Sequence, residues 1–292
     1  MTGPSGRRVI WADAFTDTPF GGNPCAVVFD AGEVPVETRL AFTRETRLSE
    51  CAFLQPSAVA DFGARYYLAS REIPMAGHPT VATAAALDRA GLLEGRERFT
   101  LELGAGVFEV TVERTASRAV YTMTQPAPRF GQHHDPGLIG PLIGVPPAEI
   151  LGTPQSVATG NAFCITRLRD HDALARMQLD HAAMRALQPR VDFWEPFPFV
   201  TEGYTAEGDT AARLMLLPPE PAEDPFTGSA TGAMAAYAFA EGLVGRRFVA
   251  EQGHAMGRPG QAQVEVLGPP ERPTGVRVGG AAVVLMDGEV FL

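Results

Sequence analysis

Two stretches of the sequence, half a chain apart, place polar side chains beside a glycine that opens an alanine-rich run. They are EIPMAGHPTVATAAAL (72–87) and EDPFTGSATGAMAAYA (223–238). Aligned at an offset of 151 residues, they share Glu, Pro, Gly, Thr and three Ala. A helix that begins at such a glycine presents free amides and the positive end of its dipole, which together can bind a carboxylate. The repeat therefore predicts two anion-binding helix starts in a duplicated chain.

Three polar residues lie at these two helix starts. Alone, Ser229 is an ordinary helix cap, His78 a polar capping residue and Asp224 a loop aspartate before a proline. Their shared location is what suggests a site in a cleft that both halves face. Glu50, in SECAF, could serve as an acid–base group, because the apolar residues that follow it would favour the protonated carboxyl. Composition and spacing alone do not single it out.

The elements that must position these residues alternate between short strands and a few helices. In the first half, we predict strands at 8–15 and 25–30 around the loop FGGNP, further strands at 48–56, 64–70 and 118–125, and two strands around a Gly-rich turn at 99–113. Residues 36–47 have helical spacing. The alanine-rich run predicts a helix from His78-Pro79 to Arg89, ended by Gly91.

The second half shows the same mixture after a Pro/Gly-rich stretch at 125–137, which we interpret as a linker with solvated histidines at 133–134. We predict a strand at 155–168, a helix at 171–187, and strands at 192–202 and 212–219. A helix capped by Ser229 should end at Gly242. The remaining residues have strand character.

Bulk composition limits the function classes. The chain has 292 residues, 45% of them hydrophobic, and a formal net charge of -10. A uniformly acidic protein repels phosphate, so a nucleic-acid partner is not expected. The sequence has no apolar run of membrane length. Its three cysteines, Cys25, Cys51 and Cys164, are far apart, which argues against disulfides and a zinc site and favours a soluble cytoplasmic protein.

Six segments together resemble the PhzF-like isomerase family of phenazine biosynthesis, within the diaminopimelate epimerase-like fold. They follow the family's order and cover nearly the whole chain. The segments are FTDTPFGGNPCAVVF (15–29), LSECAF (48–53), AGHPTVATA (76–84), VATGN (157–161), DPFTGSATG (224–232) and EQGHAMGRPG (251–260).

The resemblance implies an α+β fold of two pseudo-symmetric domains, each a β-barrel-like sheet around a central helix. We expect the domains at 1–124 and 125–292, with the last strand, near 284–292, returning to the first. The resemblance further implies an active site between the domains, a homodimer in many members, and no cofactor. From the helix starts we expect a small carboxylate substrate, and from the scattered cysteines we expect no metal.

The same resemblance assigns roles to individual residues. It implies that Glu50 is the general acid and base of a one-glutamate proton shift, assisted by His78, Asp224 and Ser229. It implies that the amides at Gly77 and Gly228 hold the substrate. We further predict that Thr80, Thr231 and Asn23 bind it.

Relatives that epimerise diaminopimelate carry a cysteine directly before each helix-start glycine. Here those positions hold Ala76 and Thr227, so a two-thiol racemase is not expected. Cys51 adjoins Glu50 but should point to the other face of its strand, as a small core residue.

Two alternatives to an isomerase stay open at this point. One is a non-catalytic small-molecule binder with the same fold, because a fold does not certify a reaction. The other is a hydrolase that uses Ser229, His78 and Asp224, although the nucleophile-elbow pattern GxSxG is missing from the sequence.

Overall fold

The chain divides into two compact units, and neither of them is one continuous segment. The structure, a computed structural model, describes residues 5–115 and 118–292. The first unit takes in the chain up to Thr124, Pro219–Pro221 and Gly279–Leu292, and the second takes in Gln125–Pro218 and Ala222–Val278. Each unit combines a sheet with helices, which confirms the α+β class.

The strands of the first unit form a closed ring. Numbered in chain order, they are β1 (Gly6–Ala14), β2 (Asn23–Val28), β3 (Cys51–Gln55), β4 (Phe62–Tyr67), β5 (Glu72–Ile73), β6 (Arg98–Leu103), β7 (Gly106–Arg114), β8 (Ala119–Gln125) and the last strand of the chain, β18 (Gly275–Phe291). Apart from the short β5, which pairs with β4, they are ordered β1-β2-β3-β4-β6-β7-β8-β18. Strand β18 pairs again with β1, from Gly6 opposite Phe291 to Ala14 opposite Ala282, and so closes a barrel.

The first unit has two helices, α1 (Val36–Thr46) and α2 (Gly77–Arg89). Its barrel encloses α2. Every residue of α2 from Gly77 to Leu87 is buried. A helix that is buried all round needs side chains that are small and mostly apolar, which the alanine-rich sequence supplies. The helix ends at Arg89 as predicted, and Gly91 has a φ of +75°, a conformation that favours glycine.

The second unit repeats this plan with a sheet wrapped on one helix. Its strands are β9 (Arg129–His133), β10 (Gln155–Ala158), β11 (Ala162–Arg167), β12 (Glu195–Val200), β13 (Thr210–Ala212), β14 (Leu214–Met215), β15 (Glu223–Asp224), β16 (Arg247–Gln252) and β17 (Gly260–Leu267). The main sheet runs β9-β10-β11-β12-β13-β16-β17 and continues into β18, while β14 and β15 pair separately.

The helices of the second unit are α3 (Pro136–Leu142), α4 (His171–Arg176), α5 (His181–Leu187) and α6 (Gly228–Ala240). Helix α6 is the counterpart of α2, since every residue from Gly228 to Phe239 is buried. Within the described residues, no helix is long and apolar enough to cross a membrane.

Two predicted elements of the second unit are wrong because local polar residues interrupt them. The predicted strand at 155–168 is the hairpin β10–β11, which turns at residues 159–161. The predicted helix at 171–187 is the two helices α4 and α5, capped by Asp170 and Asp180, whose carboxylates accept hydrogen bonds from first-turn amides.

The linker, the 212–219 strand and the helix cap also need correction. Strand β9 lies inside the predicted linker 125–137, because its backbone pairs with β10. The stretch predicted as a strand at 212–219 contains only the end of β13 and the two-residue β14. Helix α6 begins at Gly228 with Thr227 as its cap residue, so Ser229 lies in the first turn and is not the cap.

Candidate functional site

The start of α2 is buried and leaves its first-turn amides without a side-chain cap. Ala76, at the cap position, has an extended backbone and carries no polar side chain. The Thr80 hydroxyl donates to the Ala76 carbonyl oxygen at 2.7 Å and lies 3.0 Å from the Tyr66 hydroxyl. Because the first amides of a helix have no intrahelical acceptor, this buried start can bind an anion. Substrate contact by Thr80 itself stays a prediction.

His78, the second residue of α2, is an uncharged imidazole at neutral pH. Burial lowers its pKa to about 3, because the protein replaces the water that would solvate the charged ring. Its Nε2 has no hydrogen-bond partner among the described residues. A buried neutral imidazole with an unsatisfied nitrogen can accept or donate one hydrogen bond to a ligand.

The low pKa of His78 predicts a loss of stability in acid. Its folded pKa, about 3, lies below the unfolded value of 6.5, so the unfolded chain binds more protons between these limits. The free energy of unfolding should therefore fall as the pH falls from about 6.5 towards 3. The variant His78→Asn should lose less stability over this window, as measured by urea unfolding at a series of pH values. An imidazole ¹⁵N titration near pH 6.5 in the folded protein would contradict the assignment.

Glu50 lies directly before β3, half-buried beside apolar strands. Burial is the main cause of the raised pKa values of Cys25 on β2 and Tyr66 on β4, the two neighbouring strands, and the charge of Glu50 raises both pKa values slightly further. The preceding residue, Ser49, donates its hydroxyl to Asn23 Oδ1 at 3.3 Å. Asn23 is fully buried at the start of β2, so this bond links the segment that carries Glu50 to the end of the loop before β2.

The loop before Asn23 is held in an uncommon backbone conformation. Phe15 and Phe20 have φ values of 63° and 69°, which residues other than glycine rarely adopt. The Phe20 amide donates to Oδ2 of the buried Asp13 at 2.7 Å. Gly22 has a φ of 51°, and a Cβ there would lie 2.1 Å from the Ala14 carbonyl oxygen. Strain kept in place by a buried carboxylate is typical of functional loops.

The start of α6 resembles that of α2 but carries additional polar contacts. The Thr231 hydroxyl donates to the Thr227 carbonyl oxygen at 3.0 Å, which matches the bond from Thr80. In addition, Gln125 Nε2 donates to the Gly228 carbonyl oxygen at 2.9 Å. The Thr159 hydroxyl donates to Gln125 Oε1 at 2.5 Å and lies 3.3 Å from the Ser229 carbonyl oxygen. These bonds fix the peptide groups of the first turn.

Gly232 makes room for the Gln125 side chain on α6. A Cβ at residue 232 would lie 2.0 Å from Gln125 Oε1. At the equivalent position of α2 the sequence has Val81. The polar contacts made through Gln125 therefore distinguish the second copy of the repeat from the first.

Asp224 lies at the end of β15 in a buried group with Thr227 and Gln252. The Thr227 hydroxyl donates to Asp224 Oδ2 at 2.6 Å. Gln252 accepts from the Thr227 amide at 3.0 Å and donates to the Asp224 carbonyl oxygen at 2.8 Å. The second unit thus holds one buried carboxylate next to a helix start that has no side-chain cap.

The glutamate that both copies of the repeat share pairs with an arginine in each copy. Glu223 makes two hydrogen bonds with Arg213, at 2.9 and 2.7 Å. Glu72, its counterpart, lies 3.7 Å from Arg65. The shared Glu of the repeat therefore forms an ion pair that anchors the segment before each helix.

The three cysteines are free, buried thiols. Burial raises the pKa of Cys25, and it raises the pKa values of Cys51 to about 11 and Cys164 to about 12. A thiol with so high a pKa is not a nucleophile or a proton acceptor at neutral pH. Cys51 is a core residue, as predicted.

No group of three or more metal-ligating side chains occurs within residues 5–115 and 118–292. The prediction of two solvated histidines at 133–134 holds for His133 but is wrong for His134. His134 is buried, its Nε2 lies 2.7 Å from Ser156 Oγ, and that hydroxyl donates to Asp192. It is a core contact of the second unit.

The structure distributes the predicted site residues over both units. The first carries Asn23, Glu50, Gly77, His78 and Thr80, and the second carries Asp224, Gly228, Ser229 and Thr231. Sequence reasoning missed the side chains that hold the second helix start. These are Gln125, Thr159, Thr227 and Gln252, three of which lie inside the segments that carry the family resemblance.

Comparison with known proteins gives matches over nearly the whole chain. A family model described as phenazine biosynthesis-like protein matches residues 12–288. An uncharacterized isomerase of Mesorhizobium japonicum is 31% identical and aligns over 98% of this chain and 99% of its own. A trans-2,3-dihydro-3-hydroxyanthranilate isomerase of Pseudomonas aeruginosa is 29% identical over 98% of this chain and 100% of its own.

Solved structures give the same result. The PhzF-family protein of Bacillus anthracis superposes with a TM-score of 0.87 at 26% identity, covering 99% of this chain and 100% of its own. A hydroxyproline epimerase of Agrobacterium vitis shares the fold, with a TM-score of 0.71 at 13% identity over 98% of this chain and 93% of its own. The chain therefore belongs to the phenazine biosynthesis-like (PhzC–PhzF) family of isomerases.

Proposed function

We propose that this protein is a cofactor-independent isomerase that moves one proton within a small carboxylate substrate. The Glu50 carboxylate takes a proton from one carbon, and the resulting carboxyl group returns a proton to another carbon of the same molecule. Substrate and product contain the same atoms and electrons, so the reaction requires no oxidant or reductant. This is general acid–base catalysis by one group acting in both directions.

The position of Glu50 is the observation that carries this proposal. It is half-buried directly before β3, and its charge is felt by the wholly buried Cys25, Cys51 and Tyr66. It is also still exposed enough to meet a substrate.

Each helix start can bind a substrate carboxylate within its own unit. In the first unit the amides near Gly77 bind the anion, and the neutral His78 supplies a hydrogen bond. In the second unit the amides near Gly228 bind the anion, assisted by Asp224 and Ser229. In this proposal Thr80, Thr231 and Asn23 support the site, since each already bonds within the protein.

The test is incubation in heavy water with small carboxylates. The first probe is trans-2,3-dihydro-3-hydroxyanthranilate, the compound in the name of the Pseudomonas aeruginosa relative, followed by small amino and hydroxy acids. We expect NMR and mass spectrometry to show an isomer of one probe, which carries deuterium at the carbon that gains the proton to the extent that the Glu50 carboxyl group exchanges with solvent before it returns the proton. Binding of a probe without an isomer and without deuterium would instead indicate a non-catalytic binding protein.

We also propose that the protein acts in the cytoplasm as a homodimer. Three free, buried cysteines are compatible with a reducing compartment, and the family resemblance implies the dimer. Light scattering coupled to gel filtration should give twice the mass of the 31.1 kDa chain. A mass equal to one chain at micromolar concentration would refute the dimer.

A further inference from the structure

We propose that Thr227 and Gln252 are positioning residues that hold the Asp224 carboxylate in one orientation for the reaction. The inference rests on the proposed function, because it assumes that Asp224 acts on the substrate. All three residues are buried, with 8%, 1% and 4% of their surfaces exposed. Their arrangement can be followed one hydrogen bond at a time.

The Thr227 side chain does not do what its position in the helix would predict. A threonine at the cap position usually accepts a hydrogen bond from a first-turn amide. Here no side-chain cap bond forms, and the hydroxyl instead donates to Asp224 Oδ2 at 2.6 Å. This orientation fixes one carboxylate oxygen and leaves the amides of the first turn open to a ligand.

Gln252 determines which way the threonine hydroxyl points. Its Nε2 donates to the Thr227 hydroxyl oxygen at 3.3 Å. Since that oxygen receives a hydrogen from Gln252, its own single hydrogen is directed to Asp224. The same glutamine accepts from the Thr227 amide and donates to the Asp224 carbonyl oxygen. One side chain therefore fixes the backbone at both ends of the segment 224–227.

The chain after Gln252 is shaped to permit this contact. Gly253 has a φ of +89°, and a Cβ there would lie 2.7 Å from the Pro225 carbonyl oxygen and 2.2 Å from that of Arg258. Only glycine allows the two backbones to approach so closely in this conformation. The approach brings Gln252 alongside the segment that begins with Asp224.

Two substitutions at Thr227 separate positioning from packing. Thr227→Val keeps the shape of the side chain and removes the hydroxyl, whereas Thr227→Ser keeps the hydroxyl. With the heavy-water assay, we expect Thr227→Val to lower kcat by about 10- to 100-fold with little change in KM. Thr227→Ser should restore most of the activity.

Thr210→Val is the matched control. Thr210 is also a buried threonine of the second unit, and its hydroxyl has no hydrogen-bond partner among the described residues. Its replacement removes the same atoms without breaking a bond, so kcat should stay as in the wild type. Equal losses in Thr210→Val and Thr227→Val would show a general packing effect and overturn the inference.

Crystal structures of the two Thr227 variants decide the inference even if no probe is turned over. We expect the Asp224 carboxylate to keep its orientation in Thr227→Ser and to rotate in Thr227→Val. An unchanged carboxylate in Thr227→Val would refute the positioning role, whatever the activity. Failure of the wild type with every probe would count against the proposed isomerase and leave this structural result standing.

Discussion

Glu50→Gln should abolish turnover while leaving the protein folded. Glutamine has nearly the same shape as glutamate but cannot accept and return a proton. General acid–base groups contribute about 10²- to 10⁴-fold to rate, and here one group serves both half-reactions, so the loss should lie at the upper end. The measurement is the initial rate of isomer formation, with circular dichroism and the urea midpoint to verify the fold.

The matched control for this variant is Glu45→Gln. Glu45 is an exposed residue of α1 in the same unit, so its replacement makes the same change of charge away from the proposed site. It should retain the wild-type rate. A Glu50→Gln protein with the kcat of the wild type would refute the one-glutamate mechanism.

Arg213→Met should cause the largest loss of stability among single changes near the site. The guanidinium makes two bonds with Glu223 and donates to the Leu174 and Ala175 carbonyl oxygens. Both partners are largely buried, with 10% and 12% of their side chains exposed. Removing the arginine leaves a buried carboxylate without its partner, which costs about 3–5 kcal/mol in the free energy of unfolding. Urea unfolding measures the loss.

The first copy of the repeat supplies the control for Arg213. Arg65 and Glu72 are more exposed, at 22% and 39%, and 3.7 Å apart, so this pair should contribute about 0–1 kcal/mol. In the second copy, the double variant Arg213→Met with Glu223→Leu should recover most of the stability, because it removes both charges. A single Arg213→Met protein as stable as the wild type would contradict the assignment.

The repeated element carried most of what could be predicted about the fold. Its alanines predicted both central helices, since small side chains are what a helix enclosed by a sheet requires. Its shared Thr80 and Thr231 have matching roles, because each hydroxyl donates to the carbonyl oxygen four residues earlier. The pairing of the strands could not be predicted, because ladders such as β1–β18 join residues at opposite ends of the chain.

The sequence suggested candidate site residues but not the hydrogen bonds that they make. Gln125 was assigned to a linker because proline and glycine follow it, yet it is buried and bonds to the Gly228 carbonyl oxygen. Thr227 was noted only because it stands where relatives that epimerise diaminopimelate have a cysteine. Its contact with Asp224 depends on the helix starting one residue before Ser229, and cap positions are the least predictable part of a helix. The neutrality of His78 likewise follows from burial, which spacing does not reveal.

Strand β18 determines when the barrel of the first unit can close. The first barrel includes Gly279–Leu292, which pair with β1 although most of the sequence lies between the two strands. The barrel cannot close until the residues of β18 have been synthesised, although most of its strands emerge early. Until then β1 and β8 are exposed edges, which invite pairing with other chains. We therefore expect the first barrel to close late in folding. A chain cut at residue 124, which lacks β18, should aggregate.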